Sequence, residues 1–232
     1  MAQKLFALML ALTLTATWLG VSAAQQPMTG HVLRVVTATV LPDKRDQLPK
    51  IVDDLTQLLA ATKNILWFKV GSDPATGEEV AVTLWNSQAD AEAFVNSDAR
   101  KSTVEKIRPL LQGEASAKTY QVSATQSAAQ PPATGQVLRV YTTSVLPEKR
   151  DQLPTVVTEM TQLLAATKGI QWFKVGSDPA TGEIGSVTLW NSQADIDAYL
   201  KSDARKAAVE KTGALTKGEP TAKHYQVSEG EK

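Results

Sequence analysis

Apolar residues recur with a helical period in two segments of the chain. Between about Arg45 and Thr62 they fall three or four residues apart and form one stripe: Leu48, Ile51, Val52, Leu55, Leu58 and Leu59. An equivalent stripe lies 105 residues later: Leu153, Val156, Val157, Met160, Leu163 and Leu164. This spacing predicts an amphipathic helix in each segment. Pro49 and Pro154 are expected in the first helical turn, where the amide has no intrahelical acceptor.

Short runs rich in β-branched residues predict strands around these helices. In the first half of the chain the runs span residues 32–40, 65–72, 80–86 and 117–122. The segment 73–77, Asp-Pro-Ala-Thr-Gly, has the residues of a hairpin turn. We interpret it as a turn because one glycine without a following Lys-Ser/Thr does not make a phosphate-binding loop. Ser87 is predicted to cap a second helix that restarts at Asp98.

The same order of elements occurs twice. Aligned without a gap at an offset of 105, residues 30–123 and 135–228 are identical at 64 of 94 positions. A repeat of this length predicts two domains. Each has the order β-α-β-β-α-β, the ferredoxin-like arrangement of an α+β fold. We assign residues 30–123 to the first unit, 124–136 to a linker, and 137–228 to the second unit.

The third strand predicts how the two units associate. Val82 and Leu84 point to one face, and Thr83 and Trp85 point to the other, so neither face is cleanly polar. Units of this size also gain stability by burying surface against a neighbour. We therefore expect helices on one face of each sheet and the sheet of the other unit on the opposite face.

Composition excludes several classes of function. The 24 basic and 24 acidic residues balance, and no basic block with interleaved aromatics is present, so nucleic acid is not an expected partner. The absence of cysteine excludes disulfides, thiolate nucleophiles and Cys-ligated metals. His31 and His224 align with Gln136 and Thr119, which rules out a symmetric histidine site. We expect no metal site and no cofactor.

Residues 1–24 have the pattern of a signal peptide. Lys4 supplies the positive charge, Leu5–Leu19 is apolar apart from threonines, and Val21-Ser22-Ala23-Ala24 offers small residues for cleavage. We expect export to the periplasm or the medium, with no membrane attachment after cleavage. An uncleaved amino-terminal anchor is the alternative, because the run approaches the length that spans a bilayer.

Two motifs in each repeat resemble a known family. The strand-terminal Trp followed by Asn-Ser-Gln-Ala-Asp, and the helix with Ser-Asp-Ala-Arg, resemble the antibiotic biosynthesis monooxygenase family of the dimeric α/β barrel superfamily. The resemblance covers both repeats. It implies that the two sheets join into one barrel, which two subunits usually form and which one chain would form here.

The resemblance also bears on chemistry. The family includes cofactor-independent oxygenases of quinols and anthrone-like polyketides, and haem-degrading enzymes. The haem-degrading members pair the strand-end Trp with a His in the next helix and an Asn on the first strand, and neither repeat has these residues. The implied function is binding of a small aromatic or quinonoid molecule between sheet and helices, with cofactor-independent monooxygenation as the candidate reaction. The alternatives are a non-catalytic envelope binding or stress-associated module, and a haem-binding protein.

Candidate site residues follow from residue type and from the resemblance. The catalytic candidates are Trp85, Trp190, Asn86 and Asn191, since the family's strand-end Trp corresponds to Trp85 and Trp190. The ligand-binding candidates can stack or hydrogen-bond: Trp67, Trp172, Arg34, Arg139, Tyr120 and Tyr225. Each has a structural alternative. The indoles can be core residues, the arginines can pair with a carboxylate or lie at a sheet edge, and the tyrosines can pack with the hydroxyl in water.

Overall fold

The computed structural model describes residues 30–127 and 135–227. The first repeat contains four strands and three α-helices: β1 Val32–Thr39, α1 Leu48–Ala61, β2 Ile65–Asp73, β3 Glu78–Trp85, α2 Gln88–Asn96, α3 Asp98–Ile107 and β4 Ser116–Ser127. The second repeats this order: β5 Val137–Ser144, α4 Leu153–Ala166, β6 Ile170–Asp178, β7 Glu183–Trp190, α5 Gln193–Lys201, α6 Asp203–Gly213 and β8 Thr221–Val227. The predicted ferredoxin-like order is confirmed in both repeats.

Proline and serine residues set the ends of the helices. Pro49 lies in the first turn of α1, as predicted, and the residues before it form a short 3-10 helix, Pro42–Gln47. The Ser87 side chain accepts a hydrogen bond from the Asp90 amide and so caps α2. Ser97 ends α2 and caps α3 by accepting from the Arg100 amide. The second predicted helix is therefore broken into two because Ser97 is in an extended conformation.

The two repeats close one antiparallel barrel. The strand order around it is β1-β3-β2-β8-β5-β7-β6-β4, and the sheets meet where β4 pairs with β6 and where β2 pairs with β8. The predicted intramolecular barrel is confirmed. Strand β4 continues to Ser127, so residues 124–127 of the predicted linker are strand residues paired with β6. The predicted fourth strand, residues 117–122, was too short, because residues 124–127 lack a β-branched pattern while β6 offers them a hydrogen-bonding edge.

The barrel interior is packed with side chains from both sheets. Trp67 and Trp172 meet edge to face within this packing, with ring centroids 4.1 Å apart and an interplanar angle of 82°. Gly176 of β6 lies where this strand pairs with β4 of the other repeat. Glycine is required there because a Cβ would lie 2.8 Å from the Tyr120 Cβ. The interior cluster and the separate clusters beneath the helices confirm that both faces of each sheet are covered.

Two matching sets of polar contacts join the repeats. Glu183 accepts hydrogen bonds from the Tyr120 hydroxyl at 2.6 Å and the Lys118 ammonium at 2.9 Å. Glu78 accepts from Tyr225 and Lys223 in the same way. Burial, followed by the hydrogen bond to the carboxylate, raises the pKa of both tyrosines. Each contact crosses from one repeat to the other and favours the closed barrel.

The predicted signal segment, residues 1–24, lies outside the described residues, as do linker residues 128–134 and Ser228. Within the described ranges, none of the helices is both long and apolar enough to cross a bilayer.

Candidate functional site

The sheet separates the predicted tryptophans into two environments. Trp67 and Trp172 point into the barrel, whereas Trp85 and Trp190 point towards the helices. A register irregularity between Ile65 and Trp67 accompanies this arrangement, because Ile65 pairs with Trp85 and Trp67 pairs with Leu84. The four indoles therefore do not form one aromatic site.

Trp85 and Trp190 are fully buried under the helices, with 1% and 0% of their surfaces exposed. Their indole N–H groups donate to the Thr83 and Thr188 hydroxyls at 2.7 and 2.6 Å. The Trp190 ring also contacts Tyr199, with centroids 5.2 Å apart. These contacts satisfy the only polar atom of each indole, and a catalytic role for either ring stays a prediction.

The remaining predicted residues lie in different places. Asn86 and Asn191 are exposed, and the Asn191 side chain accepts a hydrogen bond from Gln171 at 2.9 Å. Tyr120 and Tyr225 lie inside the barrel with their hydroxyls bound to glutamates. Their assignment to a ligand site also stays a prediction. Arg139 is the one predicted residue that lines the cavity described next.

A cavity of about 400 Å³ lies in the second repeat, between the outer face of the sheet and helices α4 and α6. Six of its polar residues come from β5, β7, α5 and α6: Arg139, Tyr141, Thr143, Ser186, Tyr199 and Arg205. The lining also contains two carboxylates, Glu159 and Glu219. Its apolar lining comes from α4 and α6: Val156, Met160, Leu163, Leu164, Ala208 and Val209. An apolar cavity of this size with a few converging polar groups is typical of small-molecule sites.

Arg139 is the central charge of the cavity. The residue is 3% exposed, and its Nε atom is buried without a hydrogen-bond partner. Its guanidinium lies 5.1 Å from the centroid of the Tyr141 ring and 5.9 Å from that of Tyr199. Among the described residues, no carboxylate forms an ion pair with it. Burial lowers its pKa, which reflects the cost of holding this cation away from water.

The two tyrosines beside Arg139 remain protonated. Burial raises the pKa of both Tyr141 and Tyr199, while the positive charge of Arg139 acts in the opposite direction. A hydrogen bond with Arg205 also lowers the Tyr199 pKa. Besides the carboxylates of Glu159 and Glu219, the cavity therefore presents at neutral pH two phenolic hydroxyls and two guanidinium groups. This set can stabilise a negatively charged oxygen.

A histidine lies next to this group on the sheet. His224 of β8 is paired with Arg139 of β5, so the two side chains share the helix-facing side of the barrel. Burial, and then the charge of Arg139, lowers the His224 pKa. Its Nε2 atom is buried without a partner. A neutral imidazole in this position can accept a proton.

The first repeat lacks most of this lining. Its aligned residues are apolar where the second repeat carries hydroxyl groups: Val36 for Tyr141, Ala38 for Thr143, Ala81 for Ser186 and Phe94 for Tyr199. Of the six polar residues Arg139, Tyr141, Thr143, Ser186, Tyr199 and Arg205, only the arginines are kept, as Arg34 and Arg100. Tyr141, Thr143, Ser186 and Tyr199 were not predicted from the sequence, because the candidate motifs were those that the two repeats share. The positions at which two aligned repeats differ were the signal that could have found them.

The described residues contain no group of three or more His, Asp or Glu side chains that could hold a metal ion. The expectation of a site without a metal or cofactor stays a prediction.

Two ferredoxin-like units closed into one barrel, with a cavity between sheet and helices, define a dimeric α/β barrel formed within a single chain. The chain belongs to the antibiotic biosynthesis monooxygenase family, whose model matches residues 31–106 and 137–211. The predicted family and its two tandem copies are thus confirmed.

Solved structures share the fold along most of the chain. A Fusobacterium nucleatum protein named "putative monooxygenase" is 13% identical, with a TM-score of 0.73 over 87% of this chain and 94% of that one. An anthrone oxidase-like protein is 20% identical, with a TM-score of 0.65 over 88% of this chain and 94% of that one. At these identities the similarity concerns the fold alone. The comparison with curated proteins gave no match.

Proposed function

We propose that the protein binds a small aromatic or quinonoid molecule in the cavity of the second repeat and oxygenates it without a cofactor. The observation that carries the proposal is the buried guanidinium of Arg139, flanked by Tyr141 and Tyr199, at the wall of a cavity of about 400 Å³. Family membership supports the reaction class. The fold alone does not, because one fold hosts many activities.

The reaction requires an electron-rich substrate anion. An activated CH₂ group of an anthrone-type ring loses a proton, and the resulting carbanion transfers an electron to O₂. The resulting radical and superoxide combine in a C–O bond, and the peroxide takes up the proton first removed. Loss of the second C–H proton then breaks the O–O bond, which leaves the ring carbonyl and releases the other oxygen atom as water. No external reductant is consumed.

The residues around the cavity suit these steps. Arg139 would stabilise the anion, and the protonated tyrosines would donate hydrogen bonds to the developing oxyanion. His224 lies outside the cavity lining but pairs with Arg139 on the same face of the sheet, and it would accept the proton through an intervening water molecule. Helices α4 and α6 cover the cavity and would limit access of water to the reactive intermediate.

A cavity-filling variant tests the location of the site. Met160→Trp places a large ring in the cavity, and Leu55→Trp is the matched change in the first repeat. We expect wild type and Leu55→Trp to consume oxygen with anthrone-type or reduced quinol substrates and to gain thermal stability from them. We expect Met160→Trp to lose both effects while it remains folded by circular dichroism. Equal loss in both variants, or no response in any protein, would refute the proposal.

Binding without turnover is the second candidate function. The observation that favours it concerns Glu159, a carboxylate of the cavity lining that is held by Lys211 at 2.5 Å. That ion pair leaves the site without a free carboxylate base at this position. A ligand-induced thermal shift with no oxygen uptake would identify a binding module. A shift of the Soret band on titration would identify haem binding instead.

We also propose that the chain is exported to the periplasm or the medium. The positively charged, apolar and small-residue segments of residues 1–24 support this proposal. Cell fractionation with amino-terminal sequencing of the product tests it. A start after Ala23 or Ala24 is expected, and an intact amino terminus in the cytoplasm would refute export.

A further inference from the structure

We infer that the ligand is a planar aromatic anion that binds once per chain, with its charged oxygen at Arg139. This inference rests on the proposed function for the location of the site. It goes further by specifying the charge of the ligand, its shape and its stoichiometry.

The charges around the cavity lack a negative partner. Arg139 is buried with a free Nε–H group, and Arg205 adds a second guanidinium. The two carboxylates of the lining do not compensate, since Glu159 binds Lys211 and Glu219 is exposed in the loop before β8. A buried cation without a counterion is strongly unfavourable, so an anionic group that enters the cavity gains an interaction that water does not provide there.

The lining of the cavity favours a ligand whose uncharged part is flat and apolar. The rings of Tyr141 and Tyr199 flank the guanidinium, and the Tyr199 ring is supported by Trp190. Met160 and Val209 supply apolar surface from the helices. Aromatic rings favour stacked or edge-to-face neighbours. A volume of about 400 Å³ accommodates a molecule of about two or three fused rings.

The first repeat cannot offer the same site. Arg34 occupies the position of Arg139, but it is more exposed. The aligned neighbours that would hold a ligand carry no hydroxyl groups there: Val36, Ala38, Ala81 and Phe94. Both repeats have the arginine, Arg34 or Arg139, but only Arg139 has neighbouring hydroxyl groups that could hydrogen-bond a ligand. One equivalent of ligand per chain follows, although the barrel has two similar halves.

Calorimetric titration of the full chain tests the inference. The probes are 2-naphthoate and its neutral isostere 2-naphthamide, which differ in charge at one position. We expect 2-naphthoate to bind at one equivalent per chain and at least about 10-fold more tightly than the amide, because a charged hydrogen bond contributes more than a neutral one. Arg139→Gln should remove this preference, and the matched variant Arg34→Gln should keep it.

Two further variants cover the case in which Arg139→Gln does not fold. Tyr199→Phe and Ser186→Ala introduce the residues that the first repeat already has at the equivalent positions, Phe94 and Ala81. Each should weaken binding of 2-naphthoate by about 3-fold or more through loss of one hydrogen bond. Their melting temperatures, measured in parallel, confirm that they are folded.

The outcomes separate the two proposals. Equal binding of acid and amide, two equivalents per chain, or equal effects of Arg139→Gln and Arg34→Gln would overturn the inference, while the proposed site for an aromatic ligand would stand. Failure of both probes, together with failure of neutral quinones, would overturn both. Tight binding of neutral quinones alone would overturn the anionic ligand and retain the proposed function.

Discussion

The indole N–H groups of Trp85 and Trp190 each have one acceptor, the threonine hydroxyl two residues earlier on the same strand. Residues two apart on a strand point to the same face, so the spacing of Thr188 and Trp190 brings the donor and acceptor together. The hydroxyl can be a donor as well, and Thr188 is 3.4 Å from the Arg139 carbonyl oxygen. The pair therefore links the buried tryptophan to the strand residue that lines the cavity.

Thr188→Val should destabilise the protein by about 1–3 kcal/mol, because it leaves the Trp190 N–H buried without an acceptor. The double variant Thr188→Val/Trp190→Phe should recover part of this loss, since the unsatisfied donor is then absent. Equilibrium urea denaturation measures both. Thr188→Ser keeps the hydroxyl and serves as the control. A Thr188→Val protein as stable as Thr188→Ser would show that the hydrogen bond does not matter.

At the level of single residues, the sequence predicted Arg139 but not its partners. An arginine within an apolar strand is conspicuous because burying its charge is unfavourable. Tyr141, Ser186 and Tyr199 are ordinary residues in their own segments and become neighbours only when two strands and a helix pack together. The tryptophans were predicted as site residues because they are large and aromatic. Large aromatic residues also fill buried core positions, as Trp85 and Trp190 do.

Strands β3 and β7 are equivalent, and one of the helix-facing positions at which they differ is residue 79 of β3, which corresponds to residue 184 of β7. Glu79 of β3 is buried, whereas Ile184 of β7 lies in the apolar cluster beneath α4. Burial raises the pKa of Glu79 from 4.5 to about 7, and a hydrogen bond from Ser72 acts in the opposite direction. Because the folded-state pKa is higher than that of the unfolded chain, folding favours the protonated form. This stabilisation is complete below pH 4.5 and is lost as the pH rises through 7.

Glu79→Ile installs the residue that the second repeat already has. At pH 8 we expect it to raise the melting temperature by about 2–4 °C, the shift that about 1 kcal/mol produces in a protein of this size. At pH 5 the gain should be smaller, because Glu79 is then protonated in the folded protein. Differential scanning calorimetry across this range measures the effect, and Asp53→Asn on the surface of α1 is a control. An equal gain at every pH would contradict the assigned pKa.

The whole molecule depends on both repeats, because each sheet forms one half of the barrel wall. The interior cluster contains residues from both, and the glutamate contacts cross between them. The repeat in the sequence and the strand and helix patterns were enough to predict this architecture. They could not predict the length of the β4–β6 pairing, which depends on hydrogen bonds to a strand of the other repeat and not on local preference.

The chain should unfold in one cooperative transition. Separation of the repeats would expose the barrel interior, so neither half gains its full stability alone. Calorimetry of the full chain should give equal calorimetric and van't Hoff enthalpies. Residues 30–127 and residues 135–227, expressed separately, should self-associate. Two well-separated transitions, with monomeric and fully stable halves, would contradict this expectation.

The packing of Gly185 shows what fusion of the two halves permits. A Cβ at Gly185 would lie 2.5 Å from the Tyr120 ring, yet the aligned residue of the first repeat is Val80. In a homodimer every substitution appears in both subunits, so a change that suits one wall is imposed on the other. In a single chain each wall can change alone. The two halves of this barrel are consequently no longer equivalent. A chain made from two copies of either half would not reproduce the packing of the barrel interior.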